Sequence, residues 1–409
     1  MALYLLGSLT GALTAFAASI PAESQKKEAE TTDYTFIKNR AEILAKAKKE
    51  GALRVLAEMQ PPNIKASTAA FTNKYPFIKL HIEQITGTDS AQRNVLEIKS
   101  GAAKKWDIIH LSTDFYNEYL PYVWKIDLLG MARQGVLQIP VPMIDPKNRN
   151  VVSFFTRFQV TAYNPKLFRS ELLPKTWEDL LKPELKGRKF AADIRPTEIA
   201  GLVPLWGLER TVEFARKLVA QQPIWVRGAS RTLTSIVVGE VPMMIGPNFG
   251  SVKRTQRKDP AGNLQYVIVE PVPVRLTLEE AIQASAPNRH AALLWLEWMA
   301  SPESQRLTDE HEPFDSSVYV RGGAVEQELR GRQLSEVGWE HHQIMDQWQA
   351  RLTDFQSWIK QSKGDSTHER SSSSESRCDR RDDCQHALRA VTRPRSGRGH
   401  SRTKPSCPT

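Results

Sequence analysis

The stretch Val151–Tyr163 (VVSFFTRFQVTAY) constrains this 409-residue chain more than any other. It reads as one strand of unusual length. Such a length suits a segment that leaves one domain and enters another.

Strand-like and helix-like segments alternate on both sides of it. Before it, residues 36–50 carry Ile37, Ala41, Leu44 and Ala47 on one helical stripe and stop at Gly51. Strands are predicted over 53–57, 78–82 and 107–111, and helices over 64–75 and 89–104, with Pro76 ending the first of these. This alternation implies a parallel sheet covered by helices. After Tyr163 the pattern restarts: helix 176–181, strand 188–192, helix 198–220 broken at Pro204, helix 230–239 and strand 241–245. Residues 264–269 are a candidate second crossing strand, and 278–359 read as mostly helix, including 288–299 and 335–359. The expected fold class is α/β, with two lobes over 34–155 plus 267–362 and over 156–266. A hinge of two crossing strands, Val151–Tyr163 and 264–269, joins them, and the cleft lies between.

Composition removes several alternatives. With 40% hydrophobic and 25% charged residues the chain suits a globular core, not collagen, a coiled coil or a polytopic membrane protein. Residues 363–409 hold 11 Lys+Arg and 6 Asp+Glu, so this segment supplies +5 of the formal net charge of +10. The remaining body is too mildly basic to require nucleic acid. All three cysteines (Cys378, Cys384, Cys407) fall in that same segment, so the body has no disulfide framework, no thiolate metal site and no cysteine nucleophile.

The two ends read differently from the body. Residues 2–20 are apolar or small and uncharged, Ala15-Phe16-Ala17 fits the small-x-small cleavage rule, and Pro21 precedes a charged stretch. The expectation is a cleaved secretion signal over residues 1–23, with a membrane anchor as the competing reading. Residues 363–409 are rich in Ser and Arg and lack aromatics, which predicts a disordered basic tail; a nucleic-acid-binding arm is the alternative.

Chemical motifs are sparse. There is no G-x-S-x-G, H-E-x-x-H or G-x-x-x-x-G-K-[ST], and no cofactor or metal is implied. His341 and His342 adjoin, and adjacent residues do not share a helical face. Asp193 and Glu198 could form an acid/base pair, although helix capping is the plainer role. Nothing here argues for an enzyme.

Three segments carry a resemblance. Residues 173–181 (LPKTWEDLL) with Pro183 and 185–189 (LKGRK), then Gly239-Glu240-Val241, then 286–305 (APNRHAALLWLEWMASPESQ), resemble bacterial extracellular solute-binding proteins in the family's order. The resemblance implies a type 2 periplasmic-binding fold, a periplasmic location, and capture of a small solute for delivery to the inner-membrane permease of an ABC importer. It points to the ferric-iron-binding branch, in which adjacent tyrosines after the G-E-V strand hold the metal. Here Asn248-Phe249 stand at that place. Neither supplies the hard anionic oxygen that Fe(III) needs.

Candidate ligand residues follow from the rule that solutes sit beyond the carboxyl ends of strands in open α/β sheets. Those ends hold Met59 and Gln60; Ser112, Thr113 and Asp114; Thr197; and Asn248 and Phe249. Ser230 and Thr232 open a helix whose N–H groups could meet an anion. Arg157 and Arg195 could bind a carboxylate or phosphate, making an anionic solute the expectation. Trp206, Trp225, Trp295 and Trp298 are read as core. The chain is expected to act as a monomer, without nucleic acid.

Overall fold

Helix α1 (Arg40–Glu50) begins at Asn39, whose side chain accepts from the Glu42 N–H at 2.9 Å. It ends at Gly51, which adopts a φ of +65° and returns its N–H to the Ala47 carbonyl. Then follow β1 (Ala52–Ala57), α2 (Pro61–Lys74), β2 (Lys79–Gln84), α3 (Thr88–Lys99) and β3 (Ile108–Leu111). β1 pairs in parallel with both β2 and β3. This computed structural model describes residues 33–352, except 104, 196, 313–314, 343, 345–346 and 349–350, together with Ser357. The signal read over 1–23 and the tail read over 363–409 lie outside the described residues.

The long strand β4 (Val151–Tyr163) has the predicted bounds and is buried along nearly its whole length. The second lobe follows: β5 (Ala191–Asp193), α4 (Thr197–Ala200), α5 (Leu208–Ala220), β6 (Ile224–Val226), α6 (Ala229–Val237), β7 (Met243–Asn248), α7 (Phe249–Gln256) and β8 (Gln265–Val267). The predicted break at Pro204 is real, and a four-residue helical turn (Val203–Trp206) precedes α5. After β8 come β9 (Val272–Ile282), α8 (Arg289–Met299), α9 (Pro302–His311), α10 (Ala324–Leu329) and β10 (Leu334–Val337). Among the described residues no helix is long and apolar enough to cross a membrane.

The sheet runs β2-β1-β3-β9-β4-β7-β5-β6, with β10 on β9 and β8 on β4. β9 and β4 run antiparallel, from Val151 opposite Ala281 to Phe158 opposite Val274. The far end of β9 takes β3 of the first lobe, and the far end of β4 takes β7 of the second. These two strands are therefore the crossing pair.

The second crossing thus corrects the sequence reading: 264–269 holds only the short β8, paired to the end of β4 inside the second lobe. Residues 276–282 (LTLEEAI) have helix-favouring composition, yet β3 and β4 flank them and tertiary pairing prevails. The predicted helix over 335–359 is also overturned at its start, where β10 pairs in parallel with β9. The assignment of all of 267–362 to the first lobe is corrected too. Val325, Leu329, Val337 and Leu352 pack into the cores of the second lobe, so the chain returns there after α9.

Each lobe's sheet is covered on both faces, as parallel strands require. Trp295 and Trp298 of α8 are fully buried against Phe71, and α8 packs on α1. Trp206 and Trp225 pack, partly buried, on the core of the second lobe. In that lobe Phe158 of β4 stacks on Phe249 at 4.5 Å, clamping the crossing strand to α7. Truncation of such a ring leaves a cavity. Phe158→Ala is expected to lower the unfolding free energy by about 3–5 kcal/mol in urea denaturation. A loss under about 1 kcal/mol would contradict this packing.

Candidate functional site

A polar concavity is floored by the two crossing strands. It encloses a cavity of about 290 Å³, at the small end for a ligand site. β4 contributes Arg157 and Gln159; β9 contributes Arg275, Thr277, Leu278 and Glu279. Walls come from strand ends on both sides: Glu58, His110, Ser112 and Thr113 of the first lobe, Glu198 and Asn248 of the second. No Phe, Tyr or Trp is among its lining residues.

Arg157 and Arg275 stand directly opposite each other in the β4–β9 register and share this face. Directly paired side chains have Cβ atoms about 4.5–5.5 Å apart, and like charges there are destabilising. Arg157 makes one ion pair, with Asp315 at 3.9 Å; Arg275 makes none of the ion pairs among the described residues.

Burial works against the charge of the carboxylates around the arginines. Desolvation pushes the Glu279 carboxyl up to about 8 and that of Glu198 up to about 7, and it also raises Asp315. Burial holds His110 neutral by lowering its pKa, against the opposing pull of Glu58 at 3.8 Å. Several buried polar atoms here have no hydrogen-bond partner among the described residues: Thr277 Oγ1, Glu279 Oε1, His110 Nδ1, Gln159 Oε1 and Glu198 Oε2. Leu278, between two of them, holds a left-handed φ of +56° in mid-strand, a strained conformation for a branched side chain.

A second cavity adjoins, sharing Arg157 and Asn248 and reaching Gln60, Arg254 and Glu312. Gln60 stands at the start of α2, with its N–H donated to Glu312 Oε1 at 2.7 Å.

The sequence candidates divide accordingly. Ser112, Thr113, Arg157 and Asn248 line the main cavity and Gln60 the second. Met59 is corrected to the first lobe's core and Phe249 to the second's, each 1% exposed. Arg195 is taken by Asp193, with Nε–Oδ1 at 3.0 Å and Nη2–Oδ2 at 2.8 Å, so its charge is not offered to the cavity. Thr232 is buried and donates to the carbonyl oxygen of Gly228, the N-cap of its own helix, at 3.1 Å. Ser230 lines a separate depression between α6 and α7 with Thr234 and Ser251. The side chains of Asp114 and Thr197 lie outside the described residues; Thr197 opens α4.

Sequence reasoning missed Arg275, Thr277 and Glu279 because β9 was misplaced. It offered Glu198 as a cap or as an acid/base partner of Asp193; the residue lines the cavity, with Oε2 buried and without a hydrogen-bond partner. Asp193 instead accepts from Arg195 and from the Gly228 N–H at 2.7 Å. His341 and His342 are not in the cavity lining; His342 is buried, 3.8 Å from Glu279. Among the described residues no group of three or more His, Cys, Asp or Glu side chains could hold a metal ion.

Glu279 sets a stability signature. Its folded pKa lies above the unfolded value, so between these two pKa values the folded state keeps a proton that the unfolded state has lost. Stability then falls as pH rises towards about 8. Buried His342 and His110, with lowered pKa values, act in the opposite sense on the acid side of the normal histidine range. Between about pH 6.5 and 8, Glu279→Gln is expected to flatten the decline of the melting temperature with pH. An unchanged slope would show that Glu279 does not carry the buried proton.

A family model for bacterial extracellular solute-binding proteins matches residues 57–306. No curated protein matches the sequence. Among solved structures, a Bordetella ferric binding protein is similar at TM-score 0.59 and 17% identity, covering 75% of this chain and 99% of that one. The Mannheimia haemolytica ferric iron-binding protein A in an open conformation gives 0.58 and 19%, with 76% and 99% coverage. A Trichodesmium protein in complex with iron and citrate ligands gives 0.55 and 18%, with 75% and 99% coverage. These likenesses establish the type 2 periplasmic-binding fold, a fold of binding proteins. With the family match spanning more than half of its length, the chain belongs to the bacterial extracellular solute-binding proteins, the substrate-binding components of ABC importers.

Proposed function

We propose that the protein captures a small anionic solute in the periplasm and hands it to an inner-membrane permease. The lobes close on the solute by bending β4 and β9, and the chain acts as a monomer, secreted through a cleaved signal and catalysing no covalent step. One observation carries the anionic reading: Arg157 and Arg275 face each other across the crossing strands at the floor of the cavity. An anion between two guanidiniums converts their repulsion into charge-assisted hydrogen bonds, and burial leaves the nearby Glu279 carboxyl largely neutral. Unpaired Thr277 and Gln159 add polar contacts for a bound molecule.

Direct coordination of Fe(III) by a tyrosine pair does not suit this chain. Asn248 offers a neutral amide, and Phe249 is stacked into the core. A second reading keeps iron as cargo inside a carboxylate chelate. The arginine pair favours it, since a chelator's carboxylates suit guanidinium forks, and the similar Trichodesmium structure holds iron with citrate.

A thermal-shift panel tests both. Anionic solutes are expected to raise the melting temperature, while Fe(III) alone does not. Arg275→Gln should weaken anion binding about 10- to 100-fold, the equivalent of about 1.5–3 kcal/mol for hydrogen bonds to a charged group. The same change should raise unliganded stability by about 0.2–1 kcal/mol, because the like-charge pair is relieved. A ferric–citrate complex that stabilises well beyond citrate alone would favour the chelate reading. Stabilisation by Fe(III) alone would overturn the argument from Asn248 and Phe249.

A further inference from the structure

The cavity asks for more than an anion. On the side of the second lobe, Glu198 Oε2 is buried without a hydrogen-bond partner, and the nearest cation, Arg195, is committed to Asp193 through two bonds. Gly246, with φ +77°, lets the β7 backbone press against the Glu198 stem: a Cβ there would lie 2.9 Å from its Cγ. Glu198 is thus held in place as an acidic wall facing the same space as the two arginines. Thr277 and Glu279, each more than nine-tenths buried, line the same space and also hold unpartnered oxygens.

A purely anionic solute would satisfy the arginines and leave Glu198 opposed by like charge. A purely cationic one would do the reverse. A sugar or aromatic cargo would call for a stacking ring, and the lining has no Phe, Tyr or Trp. We propose that the cargo is a small dipolar ion, an amino acid or aminophosphonate whose acid group lies between Arg157 and Arg275 and whose ammonium group is taken by Glu198. This rests on the cleft reading above and narrows its solute class. The small cavity fits it, and the raised pKa of Glu198 is that of a buried carboxylate waiting for a counter-charge.

The test uses the full chain, with calorimetry and thermal shift on matched compounds. β-Alanine, γ-aminobutyrate and aminoethylphosphonate are compared with the acids lacking the amine (propionate, butyrate, ethylphosphonate) and with propylamine. At least one dipolar compound is expected to bind about tenfold or more tightly than both its acid and its amine counterpart. In Glu198→Gln the amino compound and its acid should bind within about twofold of each other, while Glu198→Asp should restore part of the preference. The unliganded melting temperature of each variant reports whether it folds. Equal binding of acid and amino acid by the native chain would overturn the proposal. So would a preference that survives Glu198→Gln, or a panel in which no dipolar compound binds. If a plain anion binds and Arg275→Gln abolishes it, the dipolar class fails and the cleft reading stands. If a compound binds and no cavity substitution weakens it, the cleft reading itself fails.

Discussion

The antiparallel pairing of β4 with β9 is the contact on which the rest of the molecule depends. It joins the two halves of the sheet, because β3 adds to one end of the pair and β7 to the other. It also forms the floor of the cavity, so whatever bends these strands moves the floor relative to the walls. A fold that closes on a solute needs a connection stiff enough to keep register and narrow enough to bend. Two strands that keep one register from Val151–Ala281 to Phe158–Val274, with a gap in the ladder at Phe154–Leu278, meet both conditions. Phe158 on Phe249 fixes one end, and the Trp295–Glu280 hydrogen bond of 2.9 Å fixes the other.

The same pairing concentrates unfavourable interactions where the solute is proposed to sit. Two arginines oppose each other, Leu278 holds a left-handed φ, and buried oxygens of Thr277 and Glu279 lack partners. Each is individually a destabilising feature, and all lie in one short run of β4 and β9. Two buried carboxylates elsewhere show the opposite arrangement, each closed on protein donors. Asp127 accepts from Arg149 at 2.9 and 2.7 Å and from the Gly130 N–H at 2.8 Å. Asp107 accepts from the Arg54 and Asn288 N–H groups, each at 2.8 Å.

How much of this was legible in the sequence follows from which interactions are local. β4 was legible because an apolar thirteen-residue run has no other plausible use, and Arg157 stood out as the charge within it. β9 was not, because Leu, Glu and Ala favour helix and only the flanking strands β3 and β4 impose extension. Losing β9 meant losing Arg275, Thr277 and Glu279 together. The rule that ligands lie beyond strand ends found cavity-lining positions together with neighbours that turn into the core. At the end of β1, Glu58 faces the cavity and its neighbour Met59 the core. At the end of β7, Asn248 faces the cavity and Phe249 the core. Which of two neighbours turns inward is set by the pleat and the start of the next helix, and these depend on packing that a single sequence does not display.

The substitution of Asn248-Phe249 for a tyrosine pair then gains its meaning from geometry. A phenolate at either position would need the side chain to reach the cavity. Position 249 is closed to that role, because its ring is sandwiched between Phe158 and Tyr266 at centroid distances of 4.5 and 5.2 Å. Position 248 does reach the cavity, but it carries a neutral amide that can donate and accept without charge. A fold shared with ferric-binding proteins therefore presents different chemistry at the place where it meets its cargo. In the proposed cleft the charged groups lie on the crossing strands and at Glu198.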